Sequence, residues 1–119
     1  MKRHYVLCAL ILAVVTILCS CTFMMKPLDK NIGFSAQLNQ LEDDIRSESW
    51  AQAEEELEEA KEAWVKIKPW IQIDIDHDYV HELEENLTRL EGYIATEVKS
   101  EALATMLMIH ETWDDMQSL

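Results

Sequence analysis

The chain has 119 residues, ten of them basic and 23 acidic, and a formal net charge of −13 at pH 7. Such an acidic surface repels phosphate backbones, which argues against nucleic acid as a partner. With only two glycines and two prolines, and with abundant Glu, Ala, Leu and Lys, the composition indicates an almost wholly helical protein. All three cysteines lie within residues 1–21, so the rest of the chain can form neither a disulfide nor a thiolate metal site.

Residues 1–25 have the features of a targeting segment. Lys2 and Arg3 supply positive charge, and residues 5–18 form an apolar stretch interrupted only by Thr16. The positive-inside rule keeps the N-terminus in the cytoplasm and sends the remaining chain across the cell membrane. We therefore expect the body of the protein on the extracytoplasmic face.

Two alternatives remain for how this segment ends. Residues 18–21, with the sequence LCSC, resemble a bacterial lipobox, in which Cys21 is lipidated after removal of the signal peptide. Residues 23–25 continue the apolar run, and a run from 5 to 25 matches the roughly 20 residues of an uncleaved transmembrane helix. The first alternative predicts a lipoprotein, and the second predicts a transmembrane anchor.

The exported part is predicted to be a tether followed by a helical bundle. Residues 26–33 contain Pro27 and Gly33, which is typical of a short tether. In residues 34–119, apolar side chains recur every three or four positions in four stretches, the pattern of amphipathic helices that each bury one face. These positions are Phe34, Leu38, Leu41 and Ile45; Trp50, Ala53, Leu57, Ala60, Trp64 and Ile67; Val80, Leu83, Leu87, Leu90 and Ile94; and Leu103, Met106, His110 and Trp113. Short links favour antiparallel neighbours, so we predict an all-α fold, an N-terminal membrane or signal helix followed by an antiparallel bundle of three to four helices.

Polar residues and a proline mark the expected helix boundaries. Ser47 and Ser49 are predicted to cap the second amphipathic helix, and Pro69 is predicted to end it. The aspartates in residues 74–78 suit the start of the third helix, where free N–H groups and the helix dipole favour carboxylates. Residues 96–100 supply the break before the last helix.

The segment DIDHDYVHELEE is the best candidate for a chemical site. His77 and His81 are spaced i,i+4, which lets two imidazoles on one helix share a zinc or manganese ion. Asp78 is a candidate third ligand, and Asp74, Glu84 and Glu85 are alternatives to it. A structural interpretation is also open, because His77 continues the apolar stripe of its helix. In an antiparallel bundle Trp64 and Trp70 would return near the two histidines, which predicts an aromatic–imidazole cluster closing one end of the core.

Several other residues are predicted to be structural. Residues 54–62 (EEELEEAKE) indicate a solvated acidic helix face. Trp50 and Trp64 fall on the apolar stripe and are expected in the core, whereas Trp70, which follows the proline, has room to be exposed. His110 is expected to be a hydrogen-bonded core histidine. No 34-residue period recurs, which excludes a tetratricopeptide array.

Four segments resemble the domain of unknown function 4363 (DUF4363) family. They are Trp50-x-x-Ala53-x-x-x-Leu57, residues 64–70 (WVKIKPW), residues 75–77 (IDH) and residues 87–94 (LTRLEGYI). The resemblance implies a small membrane-anchored helical protein of Gram-positive bacteria with no assigned activity, and it implies a small polytopic membrane protein as a companion. The last residues, 115–119, depart from the ending typical of the family.

The sequence contains no recognisable catalytic constellation. We find no nucleophile–base pair, no Gly-rich phosphate loop and no serine in an elbow motif, and a filled bundle of this size leaves little room for a substrate cleft. We therefore expect a non-enzymatic protein with no catalytic residue and no cofactor, which acts as an accessory or interaction module for a membrane or envelope partner. The alternative is a zinc- or manganese-binding envelope protein that uses His77 and His81. The oligomeric state is left open.

Overall fold

The computed structural model describes residues 2–21 and 33–118, and all regular secondary structure in these ranges is helical. The helices are α1 (Lys2–Cys21), α2 (Phe34–Arg46), α3 (Trp50–Ile71), α4 (His77–Ala95) and α5 (Lys99–Ser118). The chain divides into two compact units, Met1–Asn31 and Ile32–Leu119. The all-α prediction is therefore confirmed.

The first unit contains α1. Its described apolar side chains, among them Tyr5, Leu10 and Ile11, are exposed. Among the helices of residues 2–21 and 33–118, none is long and apolar enough to cross a membrane. The side chain of Cys21 and all of residues 22–32 lie outside the described part of the chain, so the lipidation site and most of the tether stay predictions.

The second unit is a four-helix bundle. Each of α2 to α5 packs against its neighbours in the chain, and α5 also packs against α2, which closes the ring. The helices alternate in direction, and each turns its apolar stripe toward the shared centre. The fully buried large side chains are Phe34, Leu38, Leu41, Ile45, Leu57, Ile67, Leu83, Leu90, Met106 and Ile109. This arrangement confirms the predicted bundle, with four helices of the three to four expected.

The stripe predicted for α5 is rotated relative to the observed one. Met106 and Trp113 are buried as expected, but Leu103 and His110 are only partly buried. Ala102, Thr105, Ile109, Thr112 and Met116 complete the buried face. The prediction was wrong in this detail because α5 carries apolar side chains on both its inner and its outer face, so periodicity alone does not fix which face is buried.

Two boundary predictions also require correction. Pro69 lies inside α3, which continues to Ile71. Proline has no N–H, so the carbonyl of Val65, four residues earlier, receives no helical hydrogen bond from it. Val65 is exposed, so water can donate to this carbonyl instead. Ser49 occupies the N-cap position of α3, but its side chain makes no capping hydrogen bond. Asp76 does cap α4, because its carboxylate accepts from the Asp78 N–H at 3.4 Å.

The link between α2 and α3 has the same structure as the link between α4 and α5. In residues 47–49 and again in 96–98, three successive N–H groups donate to carbonyls of the preceding helical turn at 2.8 to 3.1 Å. The middle residue of each link is a glutamate in the left-handed region, Glu48 with φ 58° and Glu97 with φ 56°. This pattern of bonds is that of a helix ending at a left-handed residue.

The bundle is built from two similar hairpins, α2–α3 and α4–α5, offset by 49 positions in the sequence. Identical residues at this offset are Leu38 and Leu87, Leu41 and Leu90, Glu42 and Glu91, Ile45 and Ile94, Glu48 and Glu97, Ala53 and Ala102, Glu62 and Glu111, and Trp64 and Trp113. Each helix packs more extensively against its partner in the same hairpin than against either helix of the other hairpin. When a residue of the first hairpin contacts a residue of the second, the two residues at the equivalent positions also contact each other. The two hairpins are therefore related by an approximate two-fold axis.

Replacing Glu97 with glycine is expected to stabilise the bundle. A side chain in the left-handed region costs about 1–2 kcal/mol that glycine does not incur, and the greater freedom of glycine in the unfolded chain offsets part of this gain. We expect a net gain of roughly 0.5–1 kcal/mol in the free energy of unfolding, measured by urea denaturation. Glu97→Ala is the matched control, because it retains the Cβ atom and should bring no such gain; equal stability of the two variants would contradict the prediction.

Candidate interaction surface

The residues predicted to bind metal lie on the outside of α4. His77 is the first residue of the helix, and both His77 and His81 are exposed. Asp78 is also exposed, and its backbone N–H bonds to Asp76. Among the described residues, no group of three or more His, Cys, Asp and Glu side chains is arranged to hold a metal ion. Metal binding by these histidines stays a prediction, and a zinc titration of the full chain and of His81→Ala tests it.

The predicted aromatic–imidazole cluster is replaced by an aromatic layer in the core. The ring of Phe34 lies 5.8 Å from that of Trp64 and 4.8 Å from that of Trp113, with an edge-on geometry of 75° in the second case. The two indoles are 6.4 Å apart and nearly perpendicular, at 86°. Such edge-to-face pairs are favourable beyond the area that they bury. The exposed His77 and His81 take no part in this layer.

The two tryptophans of the layer are tied to the opposite hairpin by equivalent hydrogen bonds. Trp113 Nε1 donates to Ser35 Oγ at 2.8 Å, and Trp64 Nε1 donates to Glu84 Oε1 at 3.0 Å. Both donors and both acceptors are related by the 49-residue offset. Each bond therefore fixes an indole of one hairpin against a helix of the other.

Glu84 carries a second bond in addition to that from Trp64. Lys68 Nζ donates to the same carboxylate oxygen at 2.5 Å. Burial alone would raise the pKa of Glu84, but the hydrogen bonds from Lys68 and Trp64 outweigh it and hold the pKa below its ordinary value. The carboxylate thus stays ionised and links α4 to α3.

In a second pair of reciprocal contacts, a basic side chain of one hairpin meets a glutamate of the other. Lys61 Nζ lies 2.5 Å from Glu91 Oε2, and His110 Nε2, at the equivalent position, lies 2.9 Å from Glu42 Oε2. Burial would lower the pKa of Lys61, but its bonds to Glu91 and Glu58 raise it overall. The pKa of Glu42 lies below its ordinary value, chiefly because of its hydrogen bond from Arg46 and in part because of His110. The predicted core position of His110 was wrong, since its side chain is 25% exposed, but the histidine does contact a carboxylate of the opposite hairpin.

The outer faces of α3 and α5 break the symmetry of the bundle. On α3 this face carries Glu58 and Glu59, both exposed, within the acidic run predicted from the sequence. The equivalent residues of α5 are Leu107, which is 70% exposed, and Met108, which is 39% exposed. Ala104 lies one turn earlier on the same exposed face. We call Ala104, Leu107 and Met108 the α5 surface.

Carboxylates flank the α5 surface at both ends of its helix. Glu101 precedes it, and Glu111, Asp114 and Asp115 follow it, all of them exposed. Within the part of the chain that the structure describes, none of these four carboxylates forms an ion pair. The surface thus combines an apolar centre with an acidic border whose charge is uncompensated.

The sequence prediction missed the α5 surface. Leu107 and Met108 stand in an apolar segment, and periodicity does not indicate that they face outward. A comparison of the chain with itself at an offset of 49 aligns them with Glu58 and Glu59, two residues that a helical pattern places on the solvent side. That alignment is the signal by which the surface can be found.

Comparison with known protein families identifies one match. A family model described as "Domain of unknown function (DUF4363)" matches residues 27–117. This range includes all of α2, α3 and α4 and nearly all of α5. Searches of curated proteins and of solved structures give no match. Because the family model covers most of the chain and both hairpins of the bundle, the protein belongs to the DUF4363 family.

Proposed function

We propose that this protein is a non-enzymatic interaction module, tethered to the extracytoplasmic face of the cell membrane, and that the α5 surface binds its partner. The observation that carries the proposal is the exposure of Leu107 and Met108 where the equivalent helix has glutamates. Exposed apolar residues of this kind lower the solubility of a protein and do not stabilise its fold. An apolar patch with a polar border is typical of a binding surface.

The partner is proposed to present a cationic amphipathic segment, carried by a membrane or envelope protein such as a small polytopic companion. Apolar side chains of that segment would cover Leu107 and Met108, and full burial of one such side chain contributes about 1.5–3 kcal/mol. Lysine or arginine residues beside them would face Glu111 and Asp114. Charge pairs at such a border contribute little affinity, but they accelerate association and select against acidic partners.

Leu107→Glu combined with Met108→Glu is expected to abolish copurification of the partner with the protein from native membranes. The bundle should tolerate both changes, because glutamates occupy the equivalent exposed positions of α3. We expect the midpoint of thermal unfolding to remain within the small range usual for surface substitutions. Glu58→Gln combined with Glu59→Gln is the control on the other hairpin and should leave copurification intact.

The opposite result would count against the α5 surface. If the double Leu107 and Met108 variant is folded and still recovers the partner in full, binding occurs elsewhere. If the Glu58 and Glu59 control loses the partner as well, the acidity of the whole bundle rather than this surface drives association.

The tether is proposed to be a lipid attached to Cys21. The motifs that support it are the positive Lys2 and Arg3, the apolar residues 5–18 and the lipobox-like residues 18–21. Metabolic labelling with a palmitate analogue is expected to mark the protein and to be lost in Cys21→Ser. Label that persists in the variant would contradict lipidation at Cys21, and an unlabelled protein that still sediments with membranes would indicate an uncleaved anchor.

A further inference from the structure

The two ends of the bundle expose different side chains. At one end are the links of residues 47–49 and 96–98, which expose serine, threonine and glutamate side chains. At the other end are the last turn of α3 and the link to α4, where Trp70 is 64% exposed and Ile73 is 75% exposed. We call Trp70 and Ile73 the tip. Large exposed apolar side chains are therefore found at this second end and not in the links of the first.

The tip lies at the end where the chain enters the bundle. Phe34 is the first residue of α2, and its ring packs against Trp64 at 5.8 Å. Trp70 follows Trp64 by six positions in the same helix, which places it about 9 Å further along the axis. The tip thus lies beyond the aromatic layer, at the end of the bundle where Gly33 precedes α2.

We propose that the tip contacts the headgroup region of the membrane to which the protein is tethered. This inference rests on the proposed tether, because a chain attached to lipid through its N-terminal segment presents the end at which it enters the bundle toward the bilayer. Tryptophan is enriched at membrane–water interfaces, since its ring is apolar while its N–H remains hydrated. Ile73 adds a second apolar side chain beside it.

Charged neighbours set the depth of the contact. Lys66, on the last turns of α3, is exposed and forms no ion pair among the described residues, so its ammonium group is available to lipid phosphates. Asp74 and Asp76 are exposed in the link beside Ile73 and must stay in water. The contact is therefore shallow, at the level of the headgroups, and does not depend on anionic lipid.

The proposed tether favours lipid as the occupant of the tip. A tethered protein stays close to the membrane surface, so two apolar side chains are enough for contact with the headgroups.

The test measures the depth of Trp70 in vesicles. The full chain is purified from bacterial membranes and reconstituted into phosphatidylcholine vesicles whose acyl chains carry bromine either near the headgroup or near the chain end. Subtracting the emission of Trp70→Phe isolates the signal of Trp70. The control for the opposite end is Thr96→Trp in the Trp70→Phe background, and circular dichroism verifies that each variant is helical.

We expect shallow bromine to remove more of the Trp70 emission than deep bromine, and we expect bromine to leave the emission of Thr96→Trp unchanged. Ile73→Asn should reduce the loss at Trp70. If the protein floats with the vesicles but bromine does not quench Trp70, the tip contact is overturned and the tether stands. If the protein does not float with the vesicles, both are overturned.

Discussion

Replacing Trp113 with alanine is expected to lower the free energy of unfolding by about 3–5 kcal/mol. Trp113 is only 4% exposed, packs edge-on against Phe34 and Trp64, and donates its N–H to Ser35. The substitution leaves a cavity in the layer where all these rings meet. Since a domain of this size is stable by roughly 5–15 kcal/mol, the variant should lose a large share of its stability. Urea denaturation of the full chain measures the difference.

Trp70→Ala is the matched control for this experiment. It removes the same side chain from an exposed position, where substitutions usually change stability by about 0.5 kcal/mol or less. A loss for Trp113→Ala no greater than that for Trp70→Ala would contradict the aromatic layer as a central element of the fold.

Replacing Glu84 with alanine is expected to lower the free energy of unfolding at pH 7 by about 1–3 kcal/mol. The change removes the acceptor of the buried Trp64 N–H and leaves that donor without its partner. It also removes the ion pair with Lys68, whose two side chains are about one-third exposed, so solvent screening keeps that contribution small. Glu84→Gln retains an acceptor for Trp64 and should cost less than Glu84→Ala.

The pH dependence distinguishes the charge of Glu84 from its hydrogen bond. Because the folded-state pKa of this carboxyl lies below its ordinary value of 4.5, its ionised form stabilises the fold above about pH 4.5, and this contribution is lost as the pH falls through the folded-state pKa. The stability difference between the wild type and Glu84→Gln should therefore shrink on acidification. A difference that stays constant or grows at low pH would contradict the assignment.

Much of the fold could be predicted because helix positions and boundaries depend on residues that are close together in the sequence. The apolar stripes of α2, α3 and α4, the N-cap Asp76 and the break near residue 96 all follow from helical periodicity and capping chemistry. Trp64 lies on the predicted stripe of α3, and Trp113 is one of the positions predicted correctly for α5. The exposure of Trp70, which follows the proline, was also anticipated.

The parts that could not be predicted depend on contacts between distant segments. Trp64 and Glu84, or Trp113 and Ser35, meet only when the two hairpins pack together, and no local pattern indicates these pairs. Pro69 shows a similar limit, since its tolerance within α3 depends on the exposure of the preceding turn. The outward position of Leu107 becomes visible only through the internal repeat. That repeat is weak, because identical residues occupy only eight of the aligned positions in the two hairpins.

The most direct test of the α5 surface as the binding site is site-specific photo-crosslinking in native membranes. A photoreactive residue is placed at position 107 in one variant and at the equivalent position 58 in another, and the linked peptides are identified by mass spectrometry. We predict a crosslink from position 107 to an apolar segment flanked by lysine or arginine in a membrane or envelope protein, and none from position 58. Equal crosslinking from both positions, or crosslinks from 107 only to acidic segments, would contradict this account.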